Sequence, residues 1–331
     1  MRVVVYGVGH IGSLVAKYAI KKGFEVVGAI DTDPNKVGKD LGVLVGIEER
    51  LGIIVSSDAE SVIKSSRPDI VIHATSSWLD EVLPQIMIPV RYGIDVVSTC
   101  ETLSYPYYRY PHLAELLDVY ARRYGATILG TGINPGFLLD TLPALLTLPH
   151  INIDRVIARR FVNAGSRRYS FQYKIGLGLR PEEFRDKLAR RELTGHVGYA
   201  ESVMLMASIM NVKLDSVEEG QEPVIAGSNE YLRTKYFEIR PGHVKGIRGY
   251  GVGYVGGREF IRIEFHAVVG SKDYEEIEVL GEPRIKWVST GTPGDEGTVA
   301  VLLNLAPKVV ELEPGLKTMA DLVRASYSFK G

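Results

Sequence analysis

Residues 1–31 read MRVVVYGVGHIGSLVAKYAIKKGFEVVGAID, and the order of features in this stretch decides the fold. Arg2 to Tyr6 is an apolar run of β-branched valines, the composition of a parallel strand buried on both faces. Gly7-Val8-Gly9-His10-Ile11-Gly12 follows as a G-x-G-x-x-G turn. Leu14, Val15, Tyr18 and Ala19 then recur at helical spacing, and a second β run, Glu25 to Ile30, ends in Asp31. Each glycine has a mechanical task. Gly7 permits the tight strand-to-helix turn, Gly9 removes the side chain that would block a pyrophosphate, and Gly12 lets the helix pack close to the strand. The helix N-terminus faces the phosphates with its N–H groups and positive dipole end. Gly7, Gly9, His10, Ile11 and Gly12 are therefore the expected phosphate-facing residues. Asp31, about 20 residues on, is the expected acceptor for the adenosine ribose hydroxyls. An acid there repels a 2′-phosphate and favours NAD, while Asn35, Lys36 and Lys39 nearby leave NADP possible.

Outward from this unit, strand and helix signals alternate as far as residue 130. Ile53–Val55, Asp69–His73, Asp95–Thr99 and Thr127–Gly130 read as strands. Between them lie a short helix capped by Asp58, a helix to about Tyr92 that Pro84 and Pro89 should kink or divide, and an amphipathic helix over Pro111–Tyr124. Such alternation calls for an α/β fold with a doubly wound parallel sheet of the Rossmann type. After Gly132 the rhythm changes. Helices are expected over 136–148, 181–190 and 199–210, and strands over 154–162, 236–239, 260–269 and 274–280. This is an α+β block with an open mixed sheet. The glycine-rich stretch Gly249–Gly257 reads as a hairpin loop. Helices at 294–310 and 319–323 should return to the first domain. The expected division is 1–134 with 294–331 as the dinucleotide-binding domain, and 135–293 as a substrate-binding and dimerisation domain.

The chain has 331 residues, 45% apolar and 24% charged, which suits two globular domains. A net charge of −1 gives no reason to expect nucleic acid or a membrane surface as partner. No apolar run reaches the ~18 residues of a membrane span. The sequence opens directly on a strand, so no signal peptide is expected. Cys100 is the only cysteine, which rules out an intrachain disulfide and fits a reducing cytoplasm. No metal site is expected. Glutamine occurs only at 85, 172 and 221 among many charges, a pattern of thermophile proteins.

In an open parallel sheet, ligands bind at the carboxyl ends of the strands. Thr75 and Ser76, after the strand ending at His73, are small enough to approach the nicotinamide ribose, although Ser76 or Ser77 can equally cap the next helix. Glu101, after Asp95–Thr99, falls near the nicotinamide ring, where a carboxylate in a partly desolvated cleft can act as general base. Cys100 beside it reads as a small buried residue. Asn134, in the turn-rich segment Gly130–Phe137, can reach the carboxamide of nicotinamide. In the second block, strand alternation puts Arg159 and Asn163 on one face and Arg160 on the other. One arginine can hold a carboxylate bidentately, and which one stays open. His196, between Gly195 and Gly198, can meet a substrate carboxylate or amine. His266 alternates with apolar residues and reads as a core histidine.

Three segments together carry a resemblance: Gly130–Pro143 (GTGINPGFLLDTLP), Gly195–Ser202 (GHVGYAES) and the run NLAPKVVELEPGLKTMADL within Gly294–Leu322. They resemble the 2,4-diaminopentanoate dehydrogenases and related native amine dehydrogenases, of the wider dihydrodipicolinate reductase-like group. The resemblance spans nearly the whole chain. The paired-histidine motif with lysine and the Ser-Gly-Thr segment of dihydrodipicolinate reductases themselves are missing. The resemblance implies NAD(P)-dependent oxidative deamination of a small amine, reversible as reductive amination, with 2,4-diaminopentanoate going to 2-amino-4-oxopentanoate and ammonia. It implies Glu101 as the catalytic carboxylate; Arg159 or Arg160, Asn163 and His196 as substrate-carboxylate contacts; and a homodimer built through the open sheet. Two other functions remain: a reductase or dehydrogenase of another small amino or oxo acid, and a non-catalytic NAD-binding regulator.

Overall fold

The computed structural model describes residues 1–47 and 50–323. The expectation for 324–331 lies outside the described residues. These residues divide into two compact units, Met1–Phe137 with Pro293–Leu322, and Leu138–Thr292.

The first unit begins β1 (Arg2–Tyr6), α1 (His10–Lys21), β2 (Glu25–Ile30), α2 (Leu41–Val45), β3 (Val55–Ser56), α3 (Ala59–Ser66) and β4 (Ile70–His73). It continues α4 (Leu79–Val90), β5 (Asp95–Ser98), a 3-10 turn at Glu101–Leu103, α5 (Pro106–Arg109), α6 (Pro111–Tyr124) and β6 (Thr127–Gly130). The second unit holds α7 (Thr141–Leu146), β7 (Asn152–Asn163), α8 (Tyr169–Lys174), α9 (Pro181–Ala189) and α10 (Tyr199–Ile209). Its later strands are β8 (Ser216–Ile225), β9 (Leu232–Arg233), β10 (Glu238–Ile239), β11 (Val244–Val255), β12 (Arg258–Val268), β13 (Tyr274–Glu282) and β14 (Ile285–Ser289). The chain then returns to the first unit as α11 (Gly294–Val309), β15 (Gly315–Lys317) and α12 (Met319–Leu322).

The first sheet is parallel, in the order β15-β6-β5-β4-β1-β2-β3. Alternation along β1 feeds two cores. Val3 and Val5 join α1 and α11 on one face; Val4 and Tyr6 join residues of α3, α4 and α6 on the other. This is the doubly wound Rossmann arrangement, and it places the ends of β1, β4, β5 and β6 along one edge. β15 is a seventh strand that three residues were too short to announce. Pro84 and Pro89 lie inside one helical segment, which they do not divide.

The second sheet is mixed, in the order β14-β13-β7-β12-β11-β8, with only β7–β12 parallel. The expected hairpin loop at Gly249–Gly257 is a correction. Residues 249–255 lie within β11, and the turn is Gly256–Gly257. The glycines serve a helix, because α10 lies directly on the strand. A Cβ on Gly249 would sit 1.9 Å from Tyr199 Oη, and one on Gly251 2.8 Å from the Tyr199 carbonyl oxygen. The helix expected over 136–148 is shorter, starting only where the Asp140 carboxylate accepts from Thr141 N at 2.6 Å.

Candidate active site

The glycine turn fits a pyrophosphate. Gly7 sits at φ +93° with Ala74 O 2.4 Å from where its Cβ would be, and a Cβ on Gly12 would lie 1.7 Å from Gly7 O. At Gly9 nothing stands within 4 Å of that position. Two glycines thus close the turn and the third keeps open space beside the helix. Gly9 is also the N-cap of α1 and supplies no side-chain acceptor there. Ile11 packs on the core, so its backbone is what it offers a phosphate. His10 Nε2 lies 3.2 Å from Asp295 Oδ2.

Asp31 ends β2 with both carboxylate oxygens engaged. Oδ2 accepts from Val8 N at 2.7 Å and Lys36 Nζ at 3.0 Å, and Oδ1 from Asp33 N at 2.9 Å. Burial alone would raise its pKa, but the bonds from Asp33, Lys36 and Val8 outweigh it and hold the carboxyl below the usual range. The acid therefore stays ionised where ribose hydroxyls are expected, and ties β2 to the glycine turn.

Glu101 opens the 3-10 turn after β5 and is half-buried. Its backbone is fixed from both sides. Thr102 N donates to Ser77 O at 3.2 Å, Leu79 N donates to Thr102 Oγ1 at 2.8 Å, and Ser104 Oγ donates to Glu101 O at 2.7 Å. Gly130 admits the turn, for a Cβ there would meet the Leu103 carbonyl carbon at 2.4 Å. Among the described residues the Glu101 carboxylate makes no hydrogen bond or ion pair. Cys100 is inert as a nucleophile, since burial and the neighbouring Glu101 charge push its thiol up to about 12. The cap of α4 expected from Ser76 or Ser77 comes instead from Thr102, while Ser76 Oγ donates to Glu81. Thr75 is exposed and Asn134 half-buried at the same strand ends.

In the second unit the two arginines part. Arg160 is 3% exposed; its Nη2 donates to Thr292 O at 2.8 Å and its Nε lies 3.3 Å from the buried Glu275. It pairs in register with Phe265, whose ring is 4.6 Å from that of His196. His196 is buried and edge-on to Tyr199 at 4.9 Å. Burial first, then the charges of Lys174 and Arg160, push its pKa well below the ordinary value, so it is a neutral hydrogen-bonding group.

Arg159 lies on the opposite face, with Nη1 bound to Glu276 at 2.7 Å and Glu278 at 2.9 Å and Nε 3.4 Å from Glu264. Asn163 accepts from Gly165 N at 3.0 Å and Gly270 N at 3.1 Å, closing two turns. The structure therefore brings Arg160 and His196 together and leaves Arg159 and Asn163 apart from them. His266 is a correction: it is not in the core but stacks on Phe161 at 4.5 Å beside Glu264, because Phe265 and Ala267 take the core side of β12.

Sequence reasoning missed several groups. Asp140 is fully buried and accepts from Ser202 Oγ at 2.8 Å, and Glu201 and Tyr199 are also buried. Gln221 holds His196 N at 3.1 Å and Thr194 O at 3.2 Å from β8. Acids inside the otherwise apolar or small-residue motifs FLLD and GYAES were the available signal.

Two buried histidines set an acid limit. His73 is lowered to about 4, chiefly by burial, against an ordinary 6.5. The unfolded chain then binds more protons between those values, so unfolding free energy falls as pH drops through that window and is complete above it. His73 alone corresponds to about 3 kcal/mol. Urea unfolding at pH 7 and pH 4.5 should show the loss, and His73→Asn should reduce it, leaving the share due to His196.

Residues 137–327 match the family described as 2,4-diaminopentanoate dehydrogenase C-terminal domain, and residues 1–99 match that described as dihydrodipicolinate reductase, N-terminus. The chain is 30% identical to the 2,4-diaminopentanoate dehydrogenase of Acetoanaerobium sticklandii over 97% of this chain and 93% of that one. The chain belongs to the 2,4-diaminopentanoate dehydrogenase family. It is also 26% identical to an amine dehydrogenase of Streptomyces virginiae, over 96% of this chain and 95% of that one. The solved amine dehydrogenase of Mycobacterium smegmatis aligns with TM-score 0.88 and 29% identity, covering 99% of this chain and 98% of that one. The chain is accordingly an oxidoreductase acting on CH–NH2 groups with NAD, or NADP, as cofactor. No described helix is long and apolar enough to cross a membrane.

Proposed function

We propose that this enzyme oxidatively deaminates a small amine that bears a carboxylate, with 2,4-diaminopentanoate, attacked at carbon 4, as substrate. The observation that carries the reading is the Glu101 carboxylate, uncommitted among the described residues, on a backbone locked to the loop after β4. Gly7, Gly9, His10, Ile11 and Gly12 hold the pyrophosphate, Asp31 the ribose, and Thr75, Ser76 and Asn134 the nicotinamide end. The bound nicotinamide supplies the two-electron acceptor. Glu101 offsets the positive charge of the iminium formed on the substrate and takes a proton from the attacking water. Arg160 binds the substrate carboxylate, and the neutral His196 adds a hydrogen bond without a second charge to desolvate. Arg159 and Asn163 hold the framework of the sheet.

We assign the enzyme to the cytoplasm of a thermophile, supported by the single buried thiol and the scarcity of glutamine. A homodimer through the sheet face bearing Phe161, His266 and Tyr274 is supported by their stack, at 4.5 and 4.3 Å, within a lattice of ion pairs. A panel of amines and ketones, read by NADH absorbance with and without saturating ammonia, tests the reaction. Oxidation of 2,4-diaminopentanoate well above other diamino acids supports the assignment. Ketone reduction that ignores ammonia would make the enzyme an alcohol dehydrogenase.

A further inference from the structure

A buried histidine stands between the glycine turn and the Glu101 turn without a part in the proposed chemistry. His73, at the end of β4, is 1% exposed. Its Nδ1 lies 2.8 Å from Ser98 Oγ, and its Nε2 lies 2.8 Å from Gln85 Oε1 and 2.9 Å from Thr75 Oγ1. Thr75 Oγ1 donates to the same Gln85 Oε1 at 2.7 Å. An amide oxygen only accepts, so the ring nitrogen facing it must carry the proton. The ring is therefore the Nε2–H tautomer, and its Nδ1 accepts from the Ser98 hydroxyl.

The network has two working ends. Ser98 Oγ accepts from Cys100 N at 3.1 Å, and Cys100 is the residue that caps the Glu101 turn. At the other end the Thr75 methyl occupies the space beside the glycine turn, 2.8 Å from where a Cβ on Gly7 would sit. Tyr6 closes one side, its ring edge-on to His73 at 5.4 Å. Side chains from β4, β5 and α4 thus join the cofactor turn to the turn presenting the catalytic acid, and the His73–Ser98 link at its centre is out of water, where hydrogen bonds are strong and missing ones are costly.

We infer that His73 is a positioning residue which, carrying its proton on Nε2, fixes Thr75 against the glycine turn and, through Ser98, the backbone that presents Glu101. This role presupposes the Glu101 chemistry proposed above. Two small deletions separate the ends. Gln85→Met should raise the NADH Kd, read by fluorescence titration, roughly tenfold and change kcat less than about threefold. Ser98→Ala should lower kcat roughly tenfold and change the NADH Kd less than about threefold. Nitrogen NMR of histidine-labelled wild-type enzyme, with the His73 signal assigned by its loss in His73→Asn, should show a neutral Nε2–H ring from pH 5.5 to 8. A ring protonated on Nδ1 or charged in that range overturns the inference, as do two variants that alter Kd and kcat in equal proportion. If the wild type bound NADH but oxidised no amine, the proposed reaction would fall, while the tautomer and the Kd of Gln85→Met would still decide the network.

Discussion

Glu101→Gln should lower kcat by about three orders of magnitude while leaving the NADH Kd within about threefold of wild type. The two side chains are nearly the same size, and the turn that carries them is held by Thr102, Ser77 and Ser104 rather than by the carboxylate. The substitution therefore removes charge and basicity without moving the backbone. An amide can neither take a proton from water nor offset a cationic iminium, so both contributions vanish together. Steady-state kinetics and fluorescence titration on one preparation check the pair of values. A kcat within tenfold of wild type would exclude Glu101 as the base.

Arg160→Leu should have the second largest effect, and on two observables at once. Arg160 and Glu275 are 3% and 2% exposed, and the glutamate also accepts from Thr292 N at 3.0 Å. Removing the guanidinium strands a buried carboxylate, which costs about 3–5 kcal/mol of stability. The KM for the amino-acid substrate should also rise about a hundredfold, the loss expected for a paired charge-assisted contact. The double variant Arg160→Leu/Glu275→Leu separates the two. It should recover much of the stability, because no charge is left unpaired, and none of the affinity. Arg159→Leu, on the opposite face, should lower stability without a comparable change in KM. Equal KM effects from the two arginines would remove Arg160 from substrate recognition.

The sequence was most legible where local pattern and tertiary environment agree. The amphipathic helix Pro111–Tyr124 and the strands β1 and β2 have the bounds their composition announces, since proline at the first position, glycine after the last and buried β-branched runs are local signals, whereas α1 starts at His10, inside the glycine motif and ahead of its apolar periodicity. Legibility failed where a distant element sets the choice. Gly249, Gly251 and Gly253 resemble a loop by propensity, but α10 needs a strand surface without side chains there. Ser216–Pro223 is too polar to read as a strand, yet it forms the edge of the second sheet, where one face is wet and a proline is tolerated. The same limit governs the site. The place of Glu101 at a strand end followed from the chain order of the sheet, whereas which of Arg159 and Arg160 is buried depended on cross-strand glutamates at 264, 275, 276 and 278 that no spacing reveals.

The most direct measurement is the stoichiometry of ammonia to NADH when purified enzyme oxidises 2,4-diaminopentanoate. One ammonia should appear for each NADH, and both should disappear together in Glu101→Gln. NADH formed without ammonia, or equal formation of both by the variant, would contradict the account.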